Sequence, residues 1–278
     1  MQGKKEIRVA HSPDCDDAFM FYALATEKID TGDFQFRHEL GDIESLNQAA
    51  LDGKYEVTAI SVHAYAYIHD KYALLNSGAS MGEGYGPILV SSMRFPSNEL
   101  AGRTVAIPGE KTSAFLALKL FEPDVNCQVV PFDEIMEVVQ QEKVDAGLII
   151  HEGQLTYRDE GLHKIVDLGE WWMELTGLPL PLGGNVIRRD LGDETIQIIS
   201  GLISESISYA LKNREEALVY ALQFSSGLNL QQGDRFVNMY VNERTLDYGE
   251  DGRKAVQVLL DRGLEKGLLP QSVPVEFV

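Results

Sequence analysis

A single histidine stands at the end of an apolar run in VDAGLIIHEGQLTY, residues 144–157. The unbroken apolar letters AGLII are typical of a strand that is covered on both faces. In α/β proteins, ligands bind at the carboxyl ends of such strands, which is where His151 stands. An imidazole has an unperturbed pKa of about 6.5, which suits proton transfer near neutral pH. His151 is therefore a candidate general base, although a lone histidine is more often a satisfied structural residue.

Three carboxylates, those of Asp14, Asp16 and Asp17, are crowded into the start of a predicted helix in HSPDCDDAFMFYAL. Ser12 and Pro13 predict the turn that precedes this helix. Aspartates cap helix amino termini and interact favourably with the helix dipole there. One cap needs only one carboxylate, so a ligand-facing role for this loop, through Ser12, Asp14 and Asp17, is the alternative to capping alone.

The glycines of SGASMGEGYGP form a second candidate loop. Gly82, Gly84 and Gly86 permit positive φ and let a ligand approach the backbone closely, which makes Gly84 a candidate binding residue. The loop precedes a strand and does not open a helix, so it lacks the dinucleotide-binding arrangement. A flexible turn before PILVSS explains the glycines equally well.

Thr112 and Ser113 open a predicted helix in AIPGEKTSAFLAL. The free N–H groups and the positive dipole end of a helix bind anions, and we expect the two hydroxyls to act as additional donors. The glycines of a Walker A loop are missing before Lys111, so a carboxylate suits this site better than a triphosphate. Thr and Ser are also ordinary helix caps, so capping is the alternative here.

The elements that must position these residues alternate through the first two-thirds of the chain. EIRVAHS, YEVTAISV and GRTVAIPG predict strands, whereas DDAFMFYALATEKI and KTSAFLALKLFEP predict helices. This alternation predicts an α/β fold with a largely parallel sheet. In LTGLPLPLGGNVIRR, prolines and paired glycines interrupt the pattern before a strand, where we expect the chain to cross between domains. The expected first domain comprises residues 1–90 and 187–278, the expected second domain comprises residues 91–186, and a cleft lies between them.

Composition limits the partners that the chain can have. The 278 residues carry a formal charge of −19, which makes a nucleic-acid partner unexpected because phosphate binding needs basic patches. The amino terminus lacks the apolar stretch of a signal peptide, and no segment reaches the ~20 apolar residues of a membrane span. The histidines and the two cysteines lack metal-ligand spacing, so no metal is expected. We therefore expect a cytoplasmic protein whose oligomeric state is left open.

Four motifs together resemble one family of enzymes. SPDCDDAFMFYAL, GEGYGP, PGEKTSAFLAL and LIIHEGQLTY are similar to stretches of the 1,4-dihydroxy-6-naphthoate synthases of the futalosine route to menaquinone. The resemblance runs in order from Ile7 to Arg189 and more loosely through the remaining helical part. It implies a two-lobed fold similar to type II periplasmic binding proteins, with two crossing strands and the ligand in the cleft.

The same resemblance implies a lyase that uses no cofactor. Its substrate would be cyclic dehypoxanthine futalosine, a small-molecule carboxylate, and His151 would be the base in a retro-aldol-like C–C cleavage. Thr112 and Ser113 would hold a carboxylate or another polar part of the substrate, and Ser61, Asp14 and Asp17 would be cleft residues of the first lobe. Many family members have SPCPND where this chain has SPDCDD, so the individual roles of Asp14, Cys15 and Asp16 are not carried over.

Two rival interpretations remain from the sequence. Chorismate dehydratase of the same pathway shares the fold but characteristically lacks the histidine-glutamate-glycine motif found here at residues 151–153. A non-catalytic solute-binding protein for a small organic anion is the rival from another class, and it would need export. Turnover distinguishes the three, because a binding protein releases its ligand unchanged.

Overall fold

The structure, a computed structural model, describes residues 4–225 and 228–278, so the remaining residues of the expected first domain lie outside the described part. It contains two β-sheets with helices packed against both. The strands are β1 Lys5–His11, β2 Phe34–Leu40, β3 Val57–Ser61, β4 Tyr72–Leu74, β5 Ser80–Gly82, β6 Ile88–Ser91, β7 Thr104–Ile107, β8 Asn126–Val129, β9 Ala146–Ile149, β10 His163–Asp167 and β11 Leu180–Arg188. The α-helices are α1 Cys15–Met20, α2 Tyr22–Ala25, α3 Ile43–Leu51, α4 Val62–Tyr65, α5 Ser113–Phe121, α6 Ile135–Gln140, α7 Gly153–Thr156, α8 Leu168–Thr176, α9 Asp193–Lys212, α10 Arg214–Ala221, α11 Leu230–Tyr240, α12 Glu243–Leu246 and α13 Gly249–Glu265. Within the described ranges, no helix is both long and apolar enough to cross a membrane.

Both sheets mix parallel and antiparallel strands, so the prediction of a largely parallel sheet is wrong. The first sheet has the order β2-β1-β3-β11-β4, with β5 also paired to β11, and the second has the order β10-β6-β9-β7-β8. Strand β1 is parallel to β2 and β3, and β7 is parallel to β8 and β9. Strand β11 is antiparallel to β3, β4 and β5, and β6 is antiparallel to β9 and β10. The antiparallel pairs arise where the chain enters one sheet after leaving the other.

Strands β6 and β11 mark the two crossings between lobes. All of β6 pairs within the second sheet, and all of β11 pairs within the first. The boundaries expected after residues 90 and 186 cut through both strands, because sheet membership places the crossings before Ile88 and before Leu180. Pro181 and the two following glycines do not interrupt β11. A register shift between Pro181 and Gly183 accommodates them, as is usual for proline and glycine within strands.

The helical carboxyl-terminal part of the chain completes the first lobe. In α9, Ile196, Ile199, Ile203 and Ile207 recur at a spacing of three or four residues, and all four are buried against α1 and α2. Helix α13 presents Val256, Leu259 and Leu260 to the core cluster beside β11. The two helices belong to different apolar clusters, so α9 and α13 each contribute to a separate part of the hydrophobic core.

The glycine-rich loop at residues 82–86 packs tightly at the first crossing. A Cβ atom on Gly82 would lie 1.9 Å from the carbonyl oxygen of Tyr85, and a Cβ on Gly169 would lie 2.0 Å from the same oxygen. Gly169 lies in the first turn of α8, so the loop backbone rests directly on that helix. These two glycines therefore permit two backbone segments of the protein to approach each other closely, and the contact involves no ligand.

We expect Gly82→Ala to lower the free energy of unfolding by about 1–3 kcal/mol, because the new methyl group forces the Tyr85 backbone to move. Gly201→Ala is the matched control, since Gly201 lies in α9 and a Cβ there meets nothing within 4 Å. This control should raise the free energy of unfolding by about 0.5–1 kcal/mol, because alanine favours the helix. Urea denaturation of both variants measures the difference. Equal midpoints would contradict this account of the loop.

Candidate active site

A cavity of about 110 Å³ lies between the two lobes, at the ends of strands from both sheets. Ser12 follows β1 and Ser61 ends β3 in the first lobe, whereas Thr112 and Ile150 follow β7 and β9 in the second. The crossing strand β11 forms another part of the wall. Strand ends of α/β sheets commonly form ligand sites, so this cavity is the candidate active site.

Most of the predicted site residues meet at this cavity, and two do not. Ser12, Asp14, Asp17, Ser61, Thr112 and Ser113 line it. Gly84 is not a lining residue; its φ of 74° serves the turn between β5 and β6, and a Cβ there would meet no atom within 4 Å. His151 is also not a lining residue, although Ile150 directly before it is.

Thr112 caps helix α5 with its side chain. Its extended backbone, with φ −73° and ψ 146°, lets Oγ1 accept a hydrogen bond from the amide of Phe115 at 3.1 Å. The same hydroxyl donates its proton to the carbonyl oxygen of Gly109 at 2.8 Å. The Thr112 hydroxyl therefore has both a donor and an acceptor partner within the protein, and its predicted contact with a ligand stays a prediction.

The hydroxyl of Ser113 is committed in the same way. It donates to the carbonyl oxygen of Leu182 in β11 at 2.5 Å and accepts from the amide of His63 at 3.2 Å. The backbone amides of Ser113 and Ala114, both in the first turn of α5, have no acceptor among the described residues. These two amides, rather than the hydroxyls, are the hydrogen-bond donors that this end of the helix leaves without a partner in the described part of the chain.

The acidic loop faces the cavity and does not act as a simple helix cap. Asp14 is the residue before α1, yet its side chain makes no capping hydrogen bond. The Asp17 carboxylate instead accepts from the amide of Ser12 at 2.8 Å, and the Asp14 amide donates to Ser12 Oγ at 2.9 Å. Asp16 lines the cavity as well. The loop is therefore closed through Ser12, which leaves carboxyl groups at the cavity wall.

Burial raises the pKa values of all three carboxyl groups in this loop. The pKa of Asp17 rises to about 7, and the pKa of Asp16 rises well above its usual range because Asp17 and Asp14 add to the effect of desolvation. Burial also raises the pKa of Asp14. No Lys or Arg occurs among the described residues that line the cavity. Carboxylates accept hydrogen bonds and protonated carboxyl groups also donate them, so the loop can bind hydroxyl groups of a ligand in either state.

His151 lies just behind the cavity wall with both ring nitrogens occupied. Its Nδ1 accepts from the amide of Gly153 at 3.0 Å, and its Nε2 donates to the carbonyl oxygen of Phe132 at 3.1 Å. These partners fix a neutral imidazole that carries its proton on Nε2. Burial lowers the pKa of His151, while the Asp14 carboxylate, Phe132 and Asp133 oppose part of this effect. The ring is neutral and basic, but its lone pair is shielded by Gly153.

Several residues of the site were not identified from the sequence. Asn47 holds Ser61 in place, because its Oδ1 accepts from the Ser61 amide at 2.8 Å and its Nδ2 donates to Ser61 Oγ at 3.2 Å. Tyr240 of α11 lines the cavity and donates to Gln154 Oε1 of the second lobe at 2.8 Å. Asn185 lines the cavity from β11. Asn185 could have been identified from the sequence, because it is a polar residue within an apolar pattern. No sequence pattern indicated that Tyr240 lies at the cavity.

Comparison with known proteins identifies the family. A family model described as menaquinone biosynthesis matches residues 7–265. A Thermus thermophilus protein named 1,4-dihydroxy-6-naphthoate synthase is 40% identical over 272 residues, which cover 98% of this chain and 99% of that protein. A Streptomyces coelicolor protein of the same name is 36% identical over 274 residues, with 96% of each chain covered.

Solved structures agree with the fold. A crystal structure of an Archaeoglobus fulgidus protein superposes with a TM-score of 0.91 at 48% identity, covering 95% of this chain and 98% of that chain. The alkanesulfonate-binding protein SsuA of Xanthomonas axonopodis, bound to MOPS, has a TM-score of 0.74 at 13% identity, covering 99% and 98%. This more distant likeness shows the two-lobed periplasmic-binding-protein-like fold alone. From the family match and the two relatives that it resembles over nearly its whole length, the chain belongs to the menaquinone-biosynthesis family that includes 1,4-dihydroxy-6-naphthoate synthases.

Proposed function

We propose that this chain is a cytoplasmic lyase that needs no cofactor. It converts cyclic dehypoxanthine futalosine to 1,4-dihydroxy-6-naphthoate, with His151 as the general base. The proposal is carried by the cavity, in which the unpaired amides of α5 and the acidic loop are the principal polar surfaces. The names and near full-length coverage of the two curated relatives support it.

The substrate carboxylate binds at the amino terminus of α5 in this proposal. The amides of Ser113 and Ala114 donate to it, and the helix dipole adds to the attraction. No lysine or arginine among the described lining residues competes for the carboxylate. Ionised carboxyl groups of the acidic loop would repel the substrate carboxylate. The substrate therefore enters in one orientation, with its hydroxyl groups toward Asp14 and Asp17.

His151 removes a proton from a hydroxyl group of the sugar remnant. The electron pair of that O–H bond forms the second bond of a new C=O group as the neighbouring C–C bond breaks. The electron pair of the C–C bond enters the ring system that becomes aromatic. For this step the substrate hydroxyl replaces the Gly153 amide at Nδ1, while Nε2 keeps its bond to Phe132. The nearby Asp14 carboxylate stabilises the imidazolium that forms.

The lobes must separate to admit such a substrate. The cavity of about 110 Å³ is smaller than the roughly 300–1,000 Å³ of ordinary small-molecule sites. We place the lobe boundaries before β6 and before β11, so that the two crossings act as hinges. Closure then excludes water around the base and the breaking bond.

The purified protein should release 1,4-dihydroxy-6-naphthoate from cyclic dehypoxanthine futalosine. We expect His151→Ala to lower kcat by roughly 10²- to 10⁴-fold, because a positioned general base contributes about that much. His163→Ala is the control, since His163 lies in β10 away from the cavity, and it should keep the wild-type rate. Chromatographic detection of the product measures all three rates.

A wild-type kcat in His151→Ala would show that His151 is not the base. Conversion of chorismate instead of the futalosine substrate would identify a dehydratase, and binding of either compound without turnover would identify a solute-binding protein.

The pH dependence of kcat/KM should have an acidic limb with its midpoint below 6.5. A base acts in its unprotonated form, and burial lowers the pKa of His151, so activity is retained until the pH falls through that lowered pKa. Rates between pH 4.5 and 8.5 measure this limb. A limb near pH 7 that moves in Asp17→Asn would instead report Asp17, whose pKa is raised to about 7.

Proline at position 113 tests the amide of Ser113 directly. Proline has no N–H group and is well tolerated in the first turn of a helix, and the extended Thr112 suits the residue before it. We expect Ser113→Pro to raise KM roughly 10- to 100-fold, because a hydrogen bond to a carboxylate is lost. Ser113→Ala is the matched control, since it loses the hydroxyl but keeps the amide. Equal KM values in the two variants would place the carboxylate elsewhere.

A further inference from the structure

Asn185 carries an unsatisfied hydrogen-bond acceptor inside the cavity wall. The residue lies in β11 opposite Ala59 of β3 and is 1% exposed. Its Oδ1 has no hydrogen-bond partner among the described residues, and its Nδ2 reaches only the carbonyl oxygen of Gly78, at 3.5 Å. A buried amide oxygen without a donor is unfavourable, so its retention calls for an explanation.

The orientation of this amide is fixed by Gly78. A Cβ atom on Gly78 would lie 2.1 Å from Asn185 Nδ2, so the two residues fit together only because position 78 is glycine, with φ +88°. Turning the amide over would bring Oδ1 against the Gly78 carbonyl, with two acceptors facing each other. The nitrogen therefore stays on Gly78, and the oxygen is the atom left for a ligand in the cavity that both residues line.

The chemistry of this oxygen selects the group that it can bind. An amide oxygen only accepts hydrogen bonds, so its partner must be a donor such as a hydroxyl group. The amide is neutral, so it adds no further charge to a cavity that already holds three carboxyl groups. It also takes up no proton at ordinary pH, so it can hold a hydroxyl without competing with a base for the proton.

We propose that Asn185 is a positioning residue that accepts a hydrogen bond from a hydroxyl group of the substrate. This inference rests on the proposed function for the identity of that substrate. The α5 amides and Asn185 then hold the substrate at two points, one through its carboxylate and one through a hydroxyl. Two such contacts hold the two ends of the substrate in the cavity, and His151 sets the rate of the chemical step.

The test compares Asn185→Leu with wild type in steady-state turnover of cyclic dehypoxanthine futalosine. We expect KM to rise roughly 10- to 100-fold while kcat changes less than about threefold and the pH profile keeps its midpoint. Ser77→Ala is the matched control. Ser77 is 1% exposed and its Oγ is also without a partner among the described residues, but it does not line the cavity. Its KM should equal that of wild type.

A second probe separates a lost hydrogen bond from a blocked cavity. The test compound 2-naphthoate has a carboxylate but no hydroxyl, so we expect it to compete with the substrate with the same inhibition constant for wild type and Asn185→Leu. Equal weakening of substrate and 2-naphthoate would overturn the proposal, because it would show steric obstruction. Asn185→Ala serves for the same comparisons if the leucine variant does not fold.

The outcomes also separate this inference from the proposed function. An active wild type with an unchanged KM in Asn185→Leu would overturn the role of Asn185 alone. A well-folded wild type that yields no naphthoate product would overturn the proposed function, and the assignment of a substrate hydroxyl to Asn185 would fall with it.

Discussion

The antiparallel pairing of β11 with β3 is the constraint on which the rest of the site depends. It returns the chain from the second lobe to the first sheet and sets Gly183 opposite Ser61 and Asn185 opposite Ala59. This register brings the oxygen of Leu182 to Ser113 at the start of α5, so one strand contacts both lobes. A shift by one residue would turn Asn185 to the other face of the sheet and remove it from the cavity.

Electrostatics inside the cavity come from backbone dipoles and from carboxyl groups. The chain has a net charge of −19, and the described lining residues include Asp14, Asp16 and Asp17 but no basic side chain. The amino terminus of α5 is therefore the main feature there that favours an anion. In the proposed function, this contrast between a positive helix end and an acidic loop orients the substrate carboxylate without an ion pair.

Local patterns predicted much of this arrangement, and the long-range contacts explain what they missed. The α/β class follows from residue types near one another in the chain, and capping by Thr112 and a cavity-facing Asp14 were each one of two alternatives that these local patterns left open. The direction of β11 could not be predicted in this way, because Pro181 and the nearby glycines resemble a strand break until the pairing of β11 with β5 is known. The Ser113 hydroxyl is bonded to residues 50 and 69 positions away, a separation that no sequence pattern at the helix start reveals.

The short turn that follows β9 links the reactivity of His151 to the arrangement of the lobes. Gly153 blocks the lone pair of His151, and the next residue, Gln154, is hydrogen-bonded to Tyr240 of the first lobe. In the proposed reaction, the amide that a substrate hydroxyl displaces from His151 belongs to the residue next to the one that joins the two lobes, so access to the base and contact between the lobes depend on the same short turn.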